Sequence, residues 1–311
     1  MTHAENPLET SPSSEREAKE DWRWQVANAV RTPAQFLRYR PEDAQLPKDW
    51  EVAAREFPLL VTPYYLSLIR EFSMRDPVFR QIMPDPAEID SQWAGEPDAL
   101  AEEEQSPVPR LIHRYPDRAV LLTTDACAVR CRHCLRKRRW RLGESCVSSA
   151  ELDAVVEYLQ KTPGIREVLV SGGDPLTLTT EALRQIFDAL RSVPSVRVLR
   201  LGTRVPVVLP QRITPELCTM LSTFQGVWCA THFNHPRELT DTAVAACQRL
   251  QADGKVAMAN QTVLLRGVND DVDTQVELCW RLLEAGVKPY YLFHGDPIGG
   301  ARHFRTGLQR A

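Results

Sequence analysis

Short apolar runs alternate along the later two-thirds of this chain with stretches whose apolar positions recur every three to four residues. The runs cover 119–124, 167–171, 196–201, 227–231, 256–265 and 289–293, each apolar on both faces. Between them, helical patterns cover 149–161, 179–191, 214–222, 240–253 and 273–285. Several open on a capping Ser, Thr or Asp, and Ser148-Ser-Ala-Glu151 and Asp271-Val-Asp-Thr274 mark two of the starts. Buried strands alternating with helices predict βαβ units and a parallel sheet. No Gly-x-Gly-x-x-Gly follows the first strand, which argues against a dinucleotide-binding doubly wound sheet. The pattern predicts an α/β fold, a partial (β/α)6 barrel over 110–311, with functional groups at the C-terminal ends of its strands.

The region before the barrel reads differently. Residues 1–20 are polar without periodicity and predict a disordered tail. Short amphipathic stretches over 22–30, 32–37 and 61–69 predict a helical region within 21–109, with Pro33 suited to a first helical turn. Residues 90–109, acidic and containing Glu102-Glu-Glu-Gln-Ser-Pro-Val-Pro109, predict a linker wrapped on a surface.

Composition narrows the function classes. With 43% hydrophobic and 25% charged residues the chain is globular. A net charge of −3 gives no electrostatic case for nucleic acid or an anionic membrane. No apolar run approaches the roughly 18 residues that span a bilayer, and the acidic, polar N-terminus is no signal peptide. Cys146, Cys218, Cys229, Cys247 and Cys279 are scattered singly, as reduced cytosolic thiols are. The expected compartment is the cytoplasm.

The other three cysteines carry the chemistry. Cys127, Cys131 and Cys134 stand in C-x3-C-x2-C spacing, one thiolate short of a closed four-ligand site. Cubane iron–sulfur clusters are held by Cys thiolates, and three protein ligands leave one iron open for something that is not protein. Zinc sites usually pair two C-x2-C motifs or use Cys2His2, and neither occurs here. His133 is the other local candidate ligand, but it shares its short loop with Cys131 and Cys134, which makes the open iron awkward to reach.

Further polar groups cluster at predicted strand ends. Ser171-Gly-Gly-Asp174 follows the second run, its paired glycines letting backbone approach a ligand and its carboxylate suiting an ammonium group. Arg204 follows the third run and His232 the fourth; Asn260 and Gln261 form an amide pair on the fifth, and Asp296 closes the sixth. Any one could be a satisfied core group. Polar residues at the same end of five successive strands are hard to explain as packing.

The cysteine motif resembles the signature of radical S-adenosylmethionine (SAM) enzymes. The longer segments Ser106-Pro-Val-Pro109, His113-Arg-Tyr-Pro-Asp-Arg118, Ser171-Gly-Gly-Asp174, Thr231-His-Phe-Asn-His-Pro236, Asn260-Gln-Thr-Val-Leu-Leu-Arg-Gly-Val-Asn-Asp270 and His303-Phe-Arg-Thr306 are similar to the lysine 2,3-aminomutase family. That resemblance implies a [4Fe-4S] cluster, SAM and pyridoxal 5′-phosphate (PLP), used to interconvert α-lysine and β-lysine through a 5′-deoxyadenosyl radical. It places the cluster on Cys127, Cys131 and Cys134, and SAM against Ser171, Gly172, Gly173, Asp174, His232 and Gln261. It places the PLP phosphate near Arg114 and Tyr115, the substrate carboxylate on Arg136, and the lysine ε-ammonium on Asp296. It also implies an electron donor such as flavodoxin or ferredoxin, and a homo-oligomer.

The family's PLP lysine lies in a Gly-rich segment downstream of His-Phe-Arg-Thr, and no Gly-Gly-Gly-Gly-Lys occurs here. Of the lysines, at positions 19, 48, 137, 161, 255 and 288, only Lys137 stands near the expected pocket. The expectation is therefore a truncated aminomutase or a short relative with altered chemistry, truncation being favoured because Asp296 is retained. The alternatives are an enzyme acting on a lysine of elongation factor P, a glutamate 2,3-aminomutase, and a cluster-binding partner without turnover.

Overall fold

The computed structural model describes residues 19–90, 95–141, 143–307 and 309. All but the last two residues of the tail expected over 1–20 therefore lie outside the described residues. Seven strands form one sheet: β1 (Leu111–Tyr115), β2 (Arg118–Thr124), β3 (Glu167–Gly172), β4 (Val198–Gly202), β5 (Val227–Thr231), β6 (Ala257–Leu264) and β7 (Lys288–His294). Their order in space is their order in sequence. Strand β1 pairs antiparallel with β2 and every later pair is parallel.

That order decides the architecture. A doubly wound sheet reverses strand order at a switch point, and this sheet never reverses. It curls instead: the Arg200 guanidinium on β4 lies 5.8 Å from the Tyr290 ring centroid on β7, three strands away. Six parallel strands curling with helices between them make the partial barrel. The antiparallel β1 was not predicted, because the five-residue Leu-Ile-His-Arg-Tyr run has no helix before it and reads as loop.

The helices α1 (Trp22–Ala27), α2 (Pro33–Tyr39) and α3 (Trp50–Glu56) precede the sheet, and α4 (Ser149–Lys161), α5 (Thr180–Arg191), α6 (Pro215–Ser222), α7 (Asp241–Ala252) and α8 (Val272–Glu284) cross between its strands. Their starts follow the caps in the sequence. Ser148 and Glu151 close a reciprocal capping box on α4, with Glu151 N donating to Ser148 Oγ at 3.3 Å. Asp271 accepts from Thr274 N at 2.9 Å on α8. The helix expected over 61–69 shrinks to one turn, Pro63–Leu66, because Val61 pairs with Val30 in an isolated bridge. That same bridge ends α1 early.

One apolar core runs from Val30 to Val287, so the N-terminal helices and the barrel bury their side chains together. Strand β7 departs from the sequence reading. Its run was expected to be buried on both faces, yet Tyr290, Tyr291, Leu292 and Phe293 are 40–51% exposed. Strand β7 is the sheet edge, with β6 as its one ladder partner. No helix among the described residues is long and apolar enough to cross a membrane.

Candidate functional site

The cysteine loop leaves β2 at the C-terminal end of the sheet, and the N-terminal region holds it there. Arg130 N donates to Leu60 O at 2.9 Å and Arg132 N to Gln81 O at 2.9 Å. Arg132, between two of the cysteines, is fully buried. Its Nε donates to Glu88 Oε1 at 2.8 Å, its Nη2 bonds Glu88 Oε2, and its Nη1 donates to Phe57 O at 3.1 Å. Lys137 Nζ joins the same carboxylate at 2.8 Å and donates to Gly300 O at 2.6 Å. Burial alone would raise the Glu88 pKa, but Arg132 and Lys137 outweigh it and hold the carboxyl below its ordinary value. Lys137 is thus a buried latch between the loop and the segment after β7. Desolvation lowers its pKa to about 8.

Burial pushes the Cys134 thiol up to about 11, with Cys131 adding to the effect. Burial likewise pushes Cys127 well above the ordinary thiol range, reinforced by Cys134, Asp174 and Cys131. Metal loading must therefore release protons from these sulfurs. Among the described residues, no three His, Cys, Asp or Glu side chains converge on a single ion position. A zinc site needs ligands converging on one ion, whereas cubane thiolates each bind a different iron. Three thiols in one tight loop, close enough to raise one another's pKa, fit a cluster in which each thiolate holds its own iron. His133 Nε2 is engaged by Asn234 Nδ2 at 3.4 Å and its ring meets Phe304 edge-on, while its Nδ1 is buried with no hydrogen-bond partner.

The glycine pair after β3 is explained by this loop. A Cβ at Gly172, where φ is +128°, would come within 2.4 Å of Thr124 O, and one at Gly173 within 2.2 Å of Ala126 O. Gly173 N donates to Thr124 O at 2.6 Å and Asp174 N to Ala126 O at 2.7 Å. The glycines let this backbone approach the backbone of the cysteine loop. Asp174 also turns inward: its carboxylate accepts from Leu176 N at 3.0 Å, Thr203 Oγ1 at 2.6 Å and Arg204 N at 2.7 Å. Burial raises its pKa to about 6 against those bonds.

Arg204 links the site together. Its Nη1 donates to Cys131 Sγ at 2.8 Å and its Nε to His232 O at 3.2 Å. Its Nη2 reaches Tyr65 Oη at 3.0 Å, Gln81 Oε1 at 2.6 Å and Glu238 Oε1 at 2.7 Å. His232, at the end of β5, is driven down to about 4 by burial and by Arg204, so it is neutral. Asn260 is satisfied by Phe233 N and O at 2.8 and 2.9 Å. Gln261 sits where the β6–β7 ladder breaks register.

Arg136 is not free. Glu102 accepts from its Nε at 3.0 Å and its Nη2 at 2.7 Å, while Nη1 faces Ser171 Oγ and Gly172 O, each at 3.5 Å. Glu102 is 6% exposed, so the expected surface linker turns one carboxylate into the site. Sequence reading missed Glu88, Glu102 and Glu238; nothing in a local pattern marks which acids of a charged segment turn inward. Arg132, a charge inside the cysteine motif, was the signal available.

Arg114 and Tyr115 stand on β1, away from the cysteine loop, with Arg114 near enough to Asp296 to oppose its raised pKa. Tyr115 pairs with Arg118 at the hairpin end of β2, roughly 20 Å along the strand from the cysteine loop at about 3.4 Å per residue. Tyr115 is 55% exposed, with the Arg114 guanidinium 5.8 Å from its ring. Asp296 is half-buried; burial raises its pKa, with Arg305, Arg114 and His294 opposing. Lys255 immediately precedes β6 and Lys288 opens β7, both at the end of the sheet away from the cysteines.

Residues 117–200 match a family model described as a 4Fe-4S single cluster domain. An L-lysine 2,3-aminomutase of Clostridium subterminale is 44% identical over 290 residues, covering 93% of this chain and 70% of that protein. A glutamate 2,3-aminomutase of Clostridioides difficile is 36% identical over 93% of this chain and 69% of that protein. A radical SAM methyltransferase structure from Sphaerobacter thermophilus aligns with TM-score 0.47 and 21% identity, over 64% of this chain and 62% of that one. With such identity over nearly its whole length and over more than two-thirds of the relative, the chain belongs to the lysine 2,3-aminomutase family.

Proposed function

We propose that this chain is a radical SAM isomerase acting on lysine, exchanging its amino group between the α and β carbons. Cys127, Cys131 and Cys134 would hold the [4Fe-4S] cluster, the backbone of Ser171–Gly173 with His232 and Gln261 would hold SAM, and Arg114 with Tyr115 would hold the PLP phosphate. When bound, the cluster and SAM supply a carbon-centred radical for hydrogen abstraction, and PLP carries the migrating amino group. An electron donor such as flavodoxin or ferredoxin would reduce the cluster.

The protein's own residues bind and orient. Arg136 keeps its Nη1 edge turned toward the Ser171–Gly172 segment while Glu102 fixes the opposite edge. A planar guanidinium so fixed suits an amino-acid carboxylate. His232 is neutral and Asn260 is satisfied by backbone, so neither adds a charge beside Arg204. The observation that carries the choice of lysine is Asp296, a half-buried carboxylate beyond β7. It offers a counter-charge to a side-chain ammonium and repels a side-chain carboxylate.

The test is anaerobic reconstitution with iron, sulfide, SAM and PLP, reduction, and incubation with lysine or glutamate. The expected result is lysine-dependent formation of 5′-deoxyadenosine, with any β-amino acid formed being β-lysine. Stimulation by glutamate instead would replace the lysine reading. Cluster and SAM binding without cleavage would favour a non-catalytic partner.

A further inference from the structure

We infer that Arg204 sets the reduction potential of the iron–sulfur centre through its bond to Cys131, with Glu238 acting on Arg204 in the opposite sense. The inference rests on the cluster reading of Cys127, Cys131 and Cys134, not on the choice of amino acid.

The bond is direct, Nη1 to Sγ at 2.8 Å, and the guanidinium that makes it is buried. Among the described residues no other side-chain cation hydrogen-bonds these sulfurs: Arg136 and Lys137 act on Cys134 and Arg130 on Cys127 only through space, and Cys134 Sγ accepts from backbone, Arg136 N at 3.4 Å. A hydrogen bond and a positive charge at a cluster thiolate favour the reduced, more negative form and raise the potential. In a low-dielectric interior that effect is weakly screened. The positive charge is partly offset. Glu238, fully buried, accepts from Arg204 Nη2 at 2.7 Å, from Tyr65 Oη at 2.5 Å and from Gln81 Nε2 at 3.0 Å. Cys131 therefore faces a cation whose counter-ion stands behind it.

This arrangement makes opposite predictions for two neighbouring substitutions, which a packing role would not. Glu238→Gln removes the counter-ion, leaves the cation, and should raise the potential. Arg204→Gln combined with Glu238→Gln removes the buried pair together, leaves no orphaned charge, and should lower it. The experiment reconstitutes full-length protein anaerobically, counts iron and sulfide, and measures the midpoint potential by EPR-monitored poising with dithionite and mediators.

At a fixed poise the double variant should show at least a tenfold lower reduced-to-oxidised ratio, which for a one-electron couple is about 59 mV. Glu238→Gln should move the ratio the other way. Unchanged potentials, or shifts of one sign in both variants, at wild-type iron content would overturn the inference. If the double variant fails to retain iron, the sign of the Glu238→Gln shift decides it. Absence of a cluster in the unmodified protein would instead overturn the cluster reading.

Discussion

Glu102 grips Arg136 along one edge of its guanidinium, Nε at 3.0 Å and Nη2 at 2.7 Å, and leaves the third nitrogen facing the glycine pair. The acid thus belongs to the arginine before any substrate arrives. Arg136→Ala should weaken amino-acid binding and also lower stability by about 1–3 kcal/mol, because Glu102 is left buried with one fewer partner. Adding Glu102→Ala should recover much of the stability and none of the binding. Urea unfolding beside amino-acid titration separates the two; recovery of binding in the double variant would remove Arg136 from the substrate site.

Single replacement of Cys127, Cys131 or Cys134 by Ala should abolish the cluster absorbance and SAM cleavage, since each thiolate holds its own iron. Iron counting after anaerobic reconstitution checks this. Four irons retained in a triple-Ala variant would show that the ligands lie elsewhere.

Asp296→Asn should harm lysine binding by roughly 2–5 kcal/mol while sparing an uncharged analogue of similar length. The carboxyl pKa is raised by burial. Lysine KM should therefore climb as pH falls through that raised value, because the protonated acid loses its charge. The Asn variant should lack this dependence. Equal losses for lysine and the analogue rule out an ammonium partner.

Lys137 should resist PLP and borohydride in the folded protein, because its Nζ already serves Glu88 and Gly300. Peptide mapping reads this directly, and stoichiometric labelling there would mean that the latch opens to make an imine. Glu88→Gln should cost about 3–5 kcal/mol of stability, since it leaves Arg132 and Lys137 buried without their shared anion.

His232 should make the metal-free fold acid-sensitive. Its pKa is about 4 folded against an ordinary 6.5. The unfolded chain therefore binds the extra proton first, and stability falls as pH drops from about 6.5 towards 4, by up to about 3 kcal/mol. His232→Gln should flatten that part of the urea-unfolding profile. An unchanged slope would mean that the ring titrates normally.

The barrel was legible because its strands and helices follow local rules. The run at 227–231 became β5 unchanged, marked by its apolar length, and the pattern at 149–161 became α4 unchanged, marked by periodicity and a cap. The C-x3-C-x2-C spacing was legible as a candidate cluster motif, and the 4Fe-4S family match covers it. What escaped depended on distant partners. The one-turn fate of 61–69 follows from Val30, thirty residues upstream, and the inward turn of Glu102 follows from Arg136. Strand β7 looked like a core strand because composition records apolarity and says nothing of position in the sheet. The second demand on the glycines was not legible: they also permit a close approach to Thr124 and Ala126.

That last contact makes three cysteines answerable to a strand that carries none of them. With no room for even a methyl group between the turns that follow β2 and β3, the two move as a single casting. Gly173→Ala touches no iron ligand, yet it must pry the mould apart where the sulfurs are set. A metal-loading defect in this protein can therefore originate in the turn after β3, and the search for its cause should not stop at residues able to bind iron.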